Sequence, residues 1–462
     1  MTVTLVLPDS ITDGIVRAAN EAVEVAGVLI ASPVVAPNGD LRLLGNKMHW
    51  VEANAYLRQE SDGLLIASHG YVPALAEAER RQALAIWFHT HPGQTGEPSP
   101  SNHDFKVDHE IAEVFRIRTG NDYYGTLIVS PRADDIAFTG TVQHENGRTN
   151  PIERIWRVGD GWRLSRAYDS TLPQISPIFD RSVRAFGPAI QGTLNDLRVA
   201  VVGCGGTGSS TAEQLVRLGI RKIMLIDADT LTASNVTRVY GSTPDRLGQP
   251  KTEALQEHLL KIAPDLQCKA IKGMITFERF ARELTSVDLI FGCTDDNAGR
   301  LVLSRLSTYL MEPVIDIGVI LSSDSTGRLT GIDGRVTVMS PGCACLVCRD
   351  RIDVARAASE LMQPEERQRL ENEGYAPALR GVEPAVVAFT TAVAAAAVNE
   401  LLERLIGYGP RPRPSEVLLR WHEREISTNL VSPRAGHYCH PDNGKLGWGD
   451  RAPFLEQLWP RA

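Results

Sequence analysis

Apolar and polar positions keep two rhythms up to about residue 165. Ser10–Val25 carries the three-to-four spacing of a helix, whereas Gly27–Ser32, Leu64–Ser68, Leu84–His91 and Tyr124–Ser130 are apolar runs of strand length. Ile152–Leu164 predicts a closing hairpin around Gly159-Asp160-Gly161. From Arg166 to Asp180 no period survives, and Pro173 and Pro177 would interrupt a helix. From Leu197 onward strand-like and helix-like segments alternate, the signature of an α/β domain with a mostly parallel sheet. The pattern predicts an α/β domain over 1–165, a linker over 166–176, a second α/β domain over 177–445 and a tail over 446–462.

Bulk properties narrow the function classes. A length of 462 suggests two or three domains, and 43% hydrophobic with 23% charged residues excludes a disordered scaffold. A net charge of −8 argues against a general nucleic-acid or anionic-membrane binder, so neither partner is expected. Met1-Thr2-Val3-Thr4-Leu5 has no charged n-region and no long apolar h-region. The longest apolar stretch, Pro384 to Val398, is too short to span a bilayer and reads as a buried Ala-rich helix. Seven cysteines, several of them clustered, fit a reducing compartment and metal binding better than a disulfide framework. A cytoplasmic location is the expectation.

Candidate chemistry concentrates first in residues 88–104. His89-Thr90-His91-Pro92 closes the run Leu84–Phe88, and Pro100-Ser101-Asn102-His103-Asp104 follows. At i and i+2 on a strand the two imidazoles share a face, where one small cation can collect them. Asp104 offers a hard oxygen as third ligand and leaves the fourth tetrahedral position to water. Glu24, upstream in Val23-Glu24-Val25-Ala26-Gly27, could take that water's proton and pass it to a leaving amine. Ser101 and Asp104 also have the spacing of a helix capping box before the amphipathic run Phe105–Arg118. The set resembles the JAMM/MPN metalloproteases, which cut isopeptide and peptide bonds beside ubiquitin-like tails. That resemblance implies a catalytic zinc on His89, His91 and Asp104, Glu24 as general base and Ser101 as oxyanion stabiliser. The stretch from His91 to Ser101 is about two residues longer than the family's usual spacing.

A second constellation opens the later domain. The strand-like run Leu197–Val202 leads into Gly203-Cys204-Gly205-Gly206-Thr207-Gly208, then a predicted helix Ser209–Leu218 and a strand Lys222–Ile226 ending at Asp227. This is G-x-G-x-x-G with an acid about 20 residues on, suited to phosphates at a helix N-terminus and a ribose hydroxyl. Asn235 and Arg238 in Ser234–Arg238, Lys251 after Gly248-Gln249-Pro250, and Asp295 in Cys293-Thr294-Asp295-Asp296-Asn297 follow. This order resembles the ubiquitin-activating-enzyme family, including the ThiF/MoeB-type bacterial adenylyltransferases that activate sulfur carriers. The resemblance implies that Gly203, Gly205, Gly206 and Gly208 cradle ATP and that Asp227 holds the ribose. It also puts Asn235, Arg238 and Lys251 on phosphates, with Asp295 holding Mg2+. Phe179-Asp180-Arg181-Ser182 is similar to the family's Y-x-R-Q motif, departing at Phe179 and Ser182. By that likeness Arg181 reaches a partner subunit's nucleotide, which implies a homodimer.

Cys345-Leu346-Val347-Cys348 matches that family's structural C-x-x-C zinc pair. The expected second pair is replaced by Gly436-His437-Tyr438-Cys439-His440, so Cys439 is the third ligand and His437, His440 or Cys343 the fourth. The family's thiol-transferring members carry a cysteine after the zinc pair. Here Glu373–Pro384 and the whole segment from Arg349 to Tyr438 contain none, while Cys204, Cys268 and Cys293 read as structural. The two resemblances imply a bifunctional enzyme of a bacterial ubiquitin-like protein system, of a kind sometimes linked to phage defence. Its partners would be a ubiquitin-like protein with a C-terminal glycine and a conjugating enzyme. The alternative is trimming and activation of a sulfur-carrier protein.

Overall fold

The computed structural model describes residues 1–94, 96–133, 135–167, 175–362 and 385–460. It divides into two compact units, Met1–Thr171 with Leu446–Asp450, and Leu172–Lys445 with Arg451–Ala462. Most of the predicted linker, and all of Glu373–Pro384 where a family thiol would stand, lie outside the described residues.

The first unit begins with β1 (Val3–Pro8), α1 (Asp9–Ala19), β2 (Ala26–Val35), β3 (Leu41–Trp50), β4 (Tyr56–Gln59), β5 (Leu64–Ile66) and α2 (Val72–Arg80). It continues with β6 (Leu84–Thr90), α3 (Asn102–Thr119), β7 (Tyr123–Arg132), β8 (Asp135–His144), β9 (Thr149–Pro151), β10 (Arg154–Val158) and β11 (Trp162–Arg166). Nine strands make one mixed sheet in the order β11-β10-β1-β3-β2-β6-β7-β8-β9, and β4 with β5 forms a separate ribbon. The central strands are covered on both faces, which is why β2 and β6 read as unbroken apolar runs. Leu29, Ala31, Ile86 and Phe88 pack with Ile11, Ile15 and Ala19 of α1 on one face. Val28, Ile30, Ala85 and Trp87 pack with Leu75 of α2 and Phe115 of α3 on the other.

The helix expected over Ser10–Val25 stops at Ala19. Distant partners take the backbone donors that would have prolonged it. Glu24 N–H donates to Glu60 O at 2.8 Å, Val25 N–H to Thr90 Oγ1 at 2.9 Å and Ala26 N–H to Tyr56 Oη at 2.9 Å. Glu24 therefore sits in a connection between α1 and β2, not on a helix.

The second unit opens with α4 (Asp180–Phe186), α5 (Pro188–Asp196), β12 (Arg198–Val202), α6 (Gly206–Leu218), β13 (Lys222–Asp227), α7 (Lys251–Ile262), β14 (Gln267–Lys272) and α8 (Glu278–Glu283). There follow β15 (Leu289–Gly292), α9 (Asn297–Tyr309), β16 (Val314–Ser323), β17 (Leu329–Met339), α10 (Val354–Glu360), α11 (Val387–Ile406), β18 (Glu416–Arg420) and β19 (Glu425–Asn429). The sheet order is β14-β13-β12-β15-β16-β17-β18-β19. Its first five strands are parallel, and the rest pair antiparallel. Strand order reverses between β12 and β15, the switch point where open α/β sheets leave a crevice for ligands. The Ala-rich stretch becomes α11, and its Thr390 approaches α6 at Gly206, where a Cβ would lie 3.1 Å from Thr390 Oγ1. Among the described residues no helix is long and apolar enough to cross a membrane.

Candidate metal centre and nucleotide-binding loop

Strand β6 delivers His89 at its end, and His91 continues the pairing through its N–H to Val129 O at 2.8 Å. The two Nε2 atoms converge at 3.2 Å. Asp104, on the first turn of α3, reaches His89 Nε2 at 3.3 Å and His91 Nε2 at 3.6 Å. The edge of a tetrahedron with bonds of about 2.0–2.1 Å is about 3.3 Å, so these three donors fit one zinc-sized ion. All three atoms lie within 4.8 Å of one another. Both Nδ1 atoms are buried without a hydrogen-bond partner among the described residues, which leaves the outer side of each ring uncommitted.

Ser101 is the N-cap of α3 and forms both halves of a capping box. Ser101 N–H donates to Asp104 Oδ2 at 2.6 Å and Asp104 N–H to Ser101 Oγ at 3.2 Å. The cap and the ligand set are thus one arrangement, since Oδ1 of the same carboxylate faces His89. Burial alone would raise the Asp104 carboxyl, but its bond to His89, the charge there and the bonds from Ser101 outweigh burial and hold it below the usual carboxylate range. Glu24 is buried with Oε1 at 3.8 Å from His91 Nε2. Burial, opposed only in part by His89, pushes its carboxyl up to about 7. Burial also lowers His91 and so favours the neutral ring a metal requires.

At the second unit's switch point the chain turns from β12 through Gly203 into α6, which starts at Gly206, three residues ahead of the predicted helix. Gly203 has φ of +91°, and a Cβ there would lie 2.6 Å from Cys293 O. A Cβ on Gly208 would lie 1.8 Å from Gly203 O, so the helix packs on the loop only because this residue is glycine. Gly205 has no side chain to cap α6, and a Cβ there would meet nothing within 4 Å. The open N-terminus of α6 is what an anion needs. Asp227, ending β13, accepts from Cys204 N–H at 2.6 Å and Asp229 N–H at 2.8 Å. Burial raises its carboxyl. Lys251 Nζ pairs with Asp229 at 2.7 Å, and Asn235 Oδ1 accepts from Thr232 N–H at 2.9 Å. Arg238 reaches Ser234 O at 2.8 Å, and Asp295 lies in the loop after β15, just before Asp296, which caps α9. Arg181 is exposed on α4.

Cys345, Cys348, Cys439 and His437 present four donors within 4.8 Å. Cys348 Sγ is 3.5 Å from Cys439 Sγ, and His437 Nδ1 is 3.2 Å from Cys439 Sγ and 3.7 Å from Cys345 Sγ. Of the three candidates for the fourth place, His437 is the one grouped with the three thiols. His440 Nδ1 instead accepts Asp442 N–H at 3.3 Å. The bond from Cys439 stabilises the Cys345 thiolate and pulls that thiol down.

The model of the ThiF family matches residues 179–438, more than half the chain. The chain belongs to the ThiF family. Its relatives include proteins named ubiquitin-like modifier-activating enzyme 5. The Oryza sativa subsp. japonica protein is 32% identical over 181 residues, covering 36% of this chain and 41% of that one. The Arabidopsis thaliana protein is 31% identical over 184 residues, with coverage of 36% and 41%. This chain thus spans about two fifths of the length of the curated relatives it matches. Among solved structures, E. coli MccB with AMPCPP and MccA overlays with a TM-score of 0.45 at 18% identity, covering 58% of this chain and 75% of that one.

Within the ThiF-family portion, the structure also places residues that the motif reading passed over. Glu360 of α10 accepts Ala298 N–H at 2.8 Å and so fixes the start of α9 beside Asp295. Fully buried Asp316 of β16 pairs with Arg335 at 2.5 Å and has Arg300 at 3.4 Å. Tyr240 ties the Asn235–Arg238 turn to two helices, through its N–H to Ser209 Oγ at 3.0 Å and its hydroxyl to Thr391 Oγ1 at 3.1 Å. These partners lie far apart in sequence, and no local spacing signals them. Gly208→Ala is expected to lower stability by about 3 kcal/mol, the upper end for overpacking, while Gly205→Ala leaves it unchanged. Equal urea midpoints for the two variants would refute the close-approach argument.

Proposed function

We propose that the second unit uses ATP and magnesium to adenylate the C-terminal glycine carboxylate of a ubiquitin-like partner, and that the first unit is a zinc (iso)peptidase acting on the same tail. The observation that carries adenylation is the uncapped glycine loop at the switch point with Asp227 beside it, in a ThiF-family chain. First-turn amides of α6 receive phosphate oxygens, and Asp227 retains lone pairs for a ribose hydroxyl. Asn235, Arg238 and Lys251 take the phosphates, and Asp295 holds the magnesium that offsets charge on leaving pyrophosphate. Arg181, exposed on α4, serves the partner subunit's nucleotide in a homodimer. The test is ATP–pyrophosphate exchange by the full chain with a ubiquitin-fold protein ending in glycine. No exchange above the rate without that protein would sink the reading.

In the first unit His89, His91 and Asp104 would hold zinc, which when bound would supply a Lewis acid and an acidified water. Glu24, its carboxylate 3.8 Å from His91, would serve as the general base and return the proton to the leaving amine. The Ser101 hydroxyl, at the N-terminus of α3, donates toward the developing oxyanion. Cys345, Cys348, Cys439 and His437 hold a second, structural zinc with no open position.

The adenylate passes directly to an external acceptor. No cysteine lies between Arg349 and Tyr438. Burial pushes the Cys268 and Cys293 thiols up to about 12 and Cys204 well above its usual value, so none is a ready thiolate. After incubation with partner, ATP and magnesium, a denaturing gel without reductant should show no thiol-labile adduct on this chain. Such an adduct on any of the seven cysteines would overturn the prediction, and one that resists thiols but yields to mild alkali would place the acyl group on a hydroxyl.

A further inference from the structure

The backbone around Glu24 is held from outside its own strand. Glu24 lies ahead of β2, and its two peptide groups find partners elsewhere. Its N–H donates to Glu60 O at 2.8 Å, and its carbonyl accepts from Gln59 Nε2 at 2.9 Å. Two residues on, Ala26 N–H donates to Tyr56 Oη at 2.9 Å. Tyr56 and Gln59 belong to β4 and Glu60 to the turn after it, in the ribbon that stands apart from the nine-stranded sheet. Between these grips, Val25 is tied to the ligand strand in both directions. Its N–H donates to Thr90 Oγ1 at 2.9 Å, and its carbonyl accepts Thr90 N–H at 3.0 Å.

We propose that the β4–β5 ribbon is the element that positions Glu24 over the His89–His91–Asp104 centre, with Gln59 as its positioning residue. The inference rests on the peptidase reading of the first unit. A general base works only within hydrogen-bond reach of the proton it takes, and a displacement of about 1 Å can cost about a hundredfold in rate. Thr90 Oγ1 and Gln59 Nε2 hold the planar Glu24–Val25 peptide from its N–H and its carbonyl side, and Glu60 O holds the peptide before it through the Glu24 N–H. The two grips from the β4 segment thus flank the Glu24 Cα on both sides, one on each adjoining peptide. Gln59 is exposed, so replacing it deletes a hydrogen bond without opening the core.

The test uses the zinc-loaded full chain with Gln59→Ala, and with Gln59→Lys, which keeps an N–H donor. The readouts are zinc content, hydrogen exchange of peptides covering 20–26 and 84–91, and cleavage of a fluorogenic peptide whose glycine is joined to a lysine side chain. Gln59→Ala should keep its zinc, exchange about tenfold faster at 20–26 but not at 84–91, and lose about tenfold in kcat with little change in KM. Gln59→Lys should restore both. Unchanged exchange at 20–26 would overturn the clamp whatever the activity. Faster exchange with undiminished kcat would overturn the positioning role. A zinc-loaded parent that cleaves nothing would count against the peptidase reading instead, and the exchange arm would still decide whether the ribbon holds Glu24.

Discussion

Replacing Glu24 with glutamine should leave zinc binding intact and lower cleavage by about 10²–10⁴-fold, the usual contribution of a positioned general base. The substitution removes the proton acceptor but no metal donor, because Glu24 lies 3.8 Å from His91 and outside the three-donor set. The pH dependence carries the same information. Burial holds the Glu24 carboxyl near 7 without metal, and a base works only when ionised, so cleavage should rise with pH through an acidic limb. The charge of bound zinc moves that limb below 7, and Glu24→Gln should abolish it. In the metal-free chain the sign of the linkage is unfavourable. From about 4.5 to about 7 the folded protein keeps a proton that the unfolded chain has released, so Glu24 costs stability as pH rises. His89→Ala with His91→Ala should lose the metal itself. Full cleavage by Glu24→Gln, or one zinc still held at this centre by the double variant, would refute these assignments.

Asp295→Ala, Arg238→Ala and Lys251→Ala should each reduce ATP–pyrophosphate exchange by about 10²–10³-fold, as expected when a preorganised charge is removed from a transition state. None of the three is buried in a core, so their loss should appear in exchange and not in the melting curve. Undiminished exchange in all three would overturn the nucleotide assignment. A mixture of Arg181→Ala and Asp295→Ala subunits provides the dimer test. Restored exchange in heterodimers supports action across the interface, and none despite demonstrated heterodimers counts against it.

What the sequence revealed depended on how local each signal was. His89, His91 and Asp104 are close in the chain, and a strand end followed by a capped helix brings them together. The glycine loop was legible for the same reason, because strand, turn and helix are consecutive. The fourth cysteine-cluster donor was not legible. His437 and His440 flank Cys439 with the same chemistry, and only the fold turns His437 inward while His440 caps a turn. The overrun of the first helix to Val25 has a similar origin. Val23 and Val25 continue an apolar pattern, but Gln59, Glu60 and Thr90 claim the backbone from 35 to 65 residues away. β5 lies within the predicted strand Leu64–Ser68, but its partner β4 and the antiparallel extension β17–β19 went unread, and in β4 and β19 short, partly exposed segments leave little periodicity.

On the proposed zinc reading Asp104 would do two jobs and the histidines one. Its carboxylate closes, from the N3 position, the capping box whose N-cap is Ser101, whether or not an ion is present. His89 and His91 are buried imidazoles whose Nδ1 atoms have no partner among the described residues, so without a metal they are a cost. In a lineage that abandoned the ion, folding would still select for an aspartate at this position, while nothing would protect the histidines from drift. A relative that keeps the aspartate alone has kept a helix start. On the same reading, one that keeps both histidines has kept the metal centre.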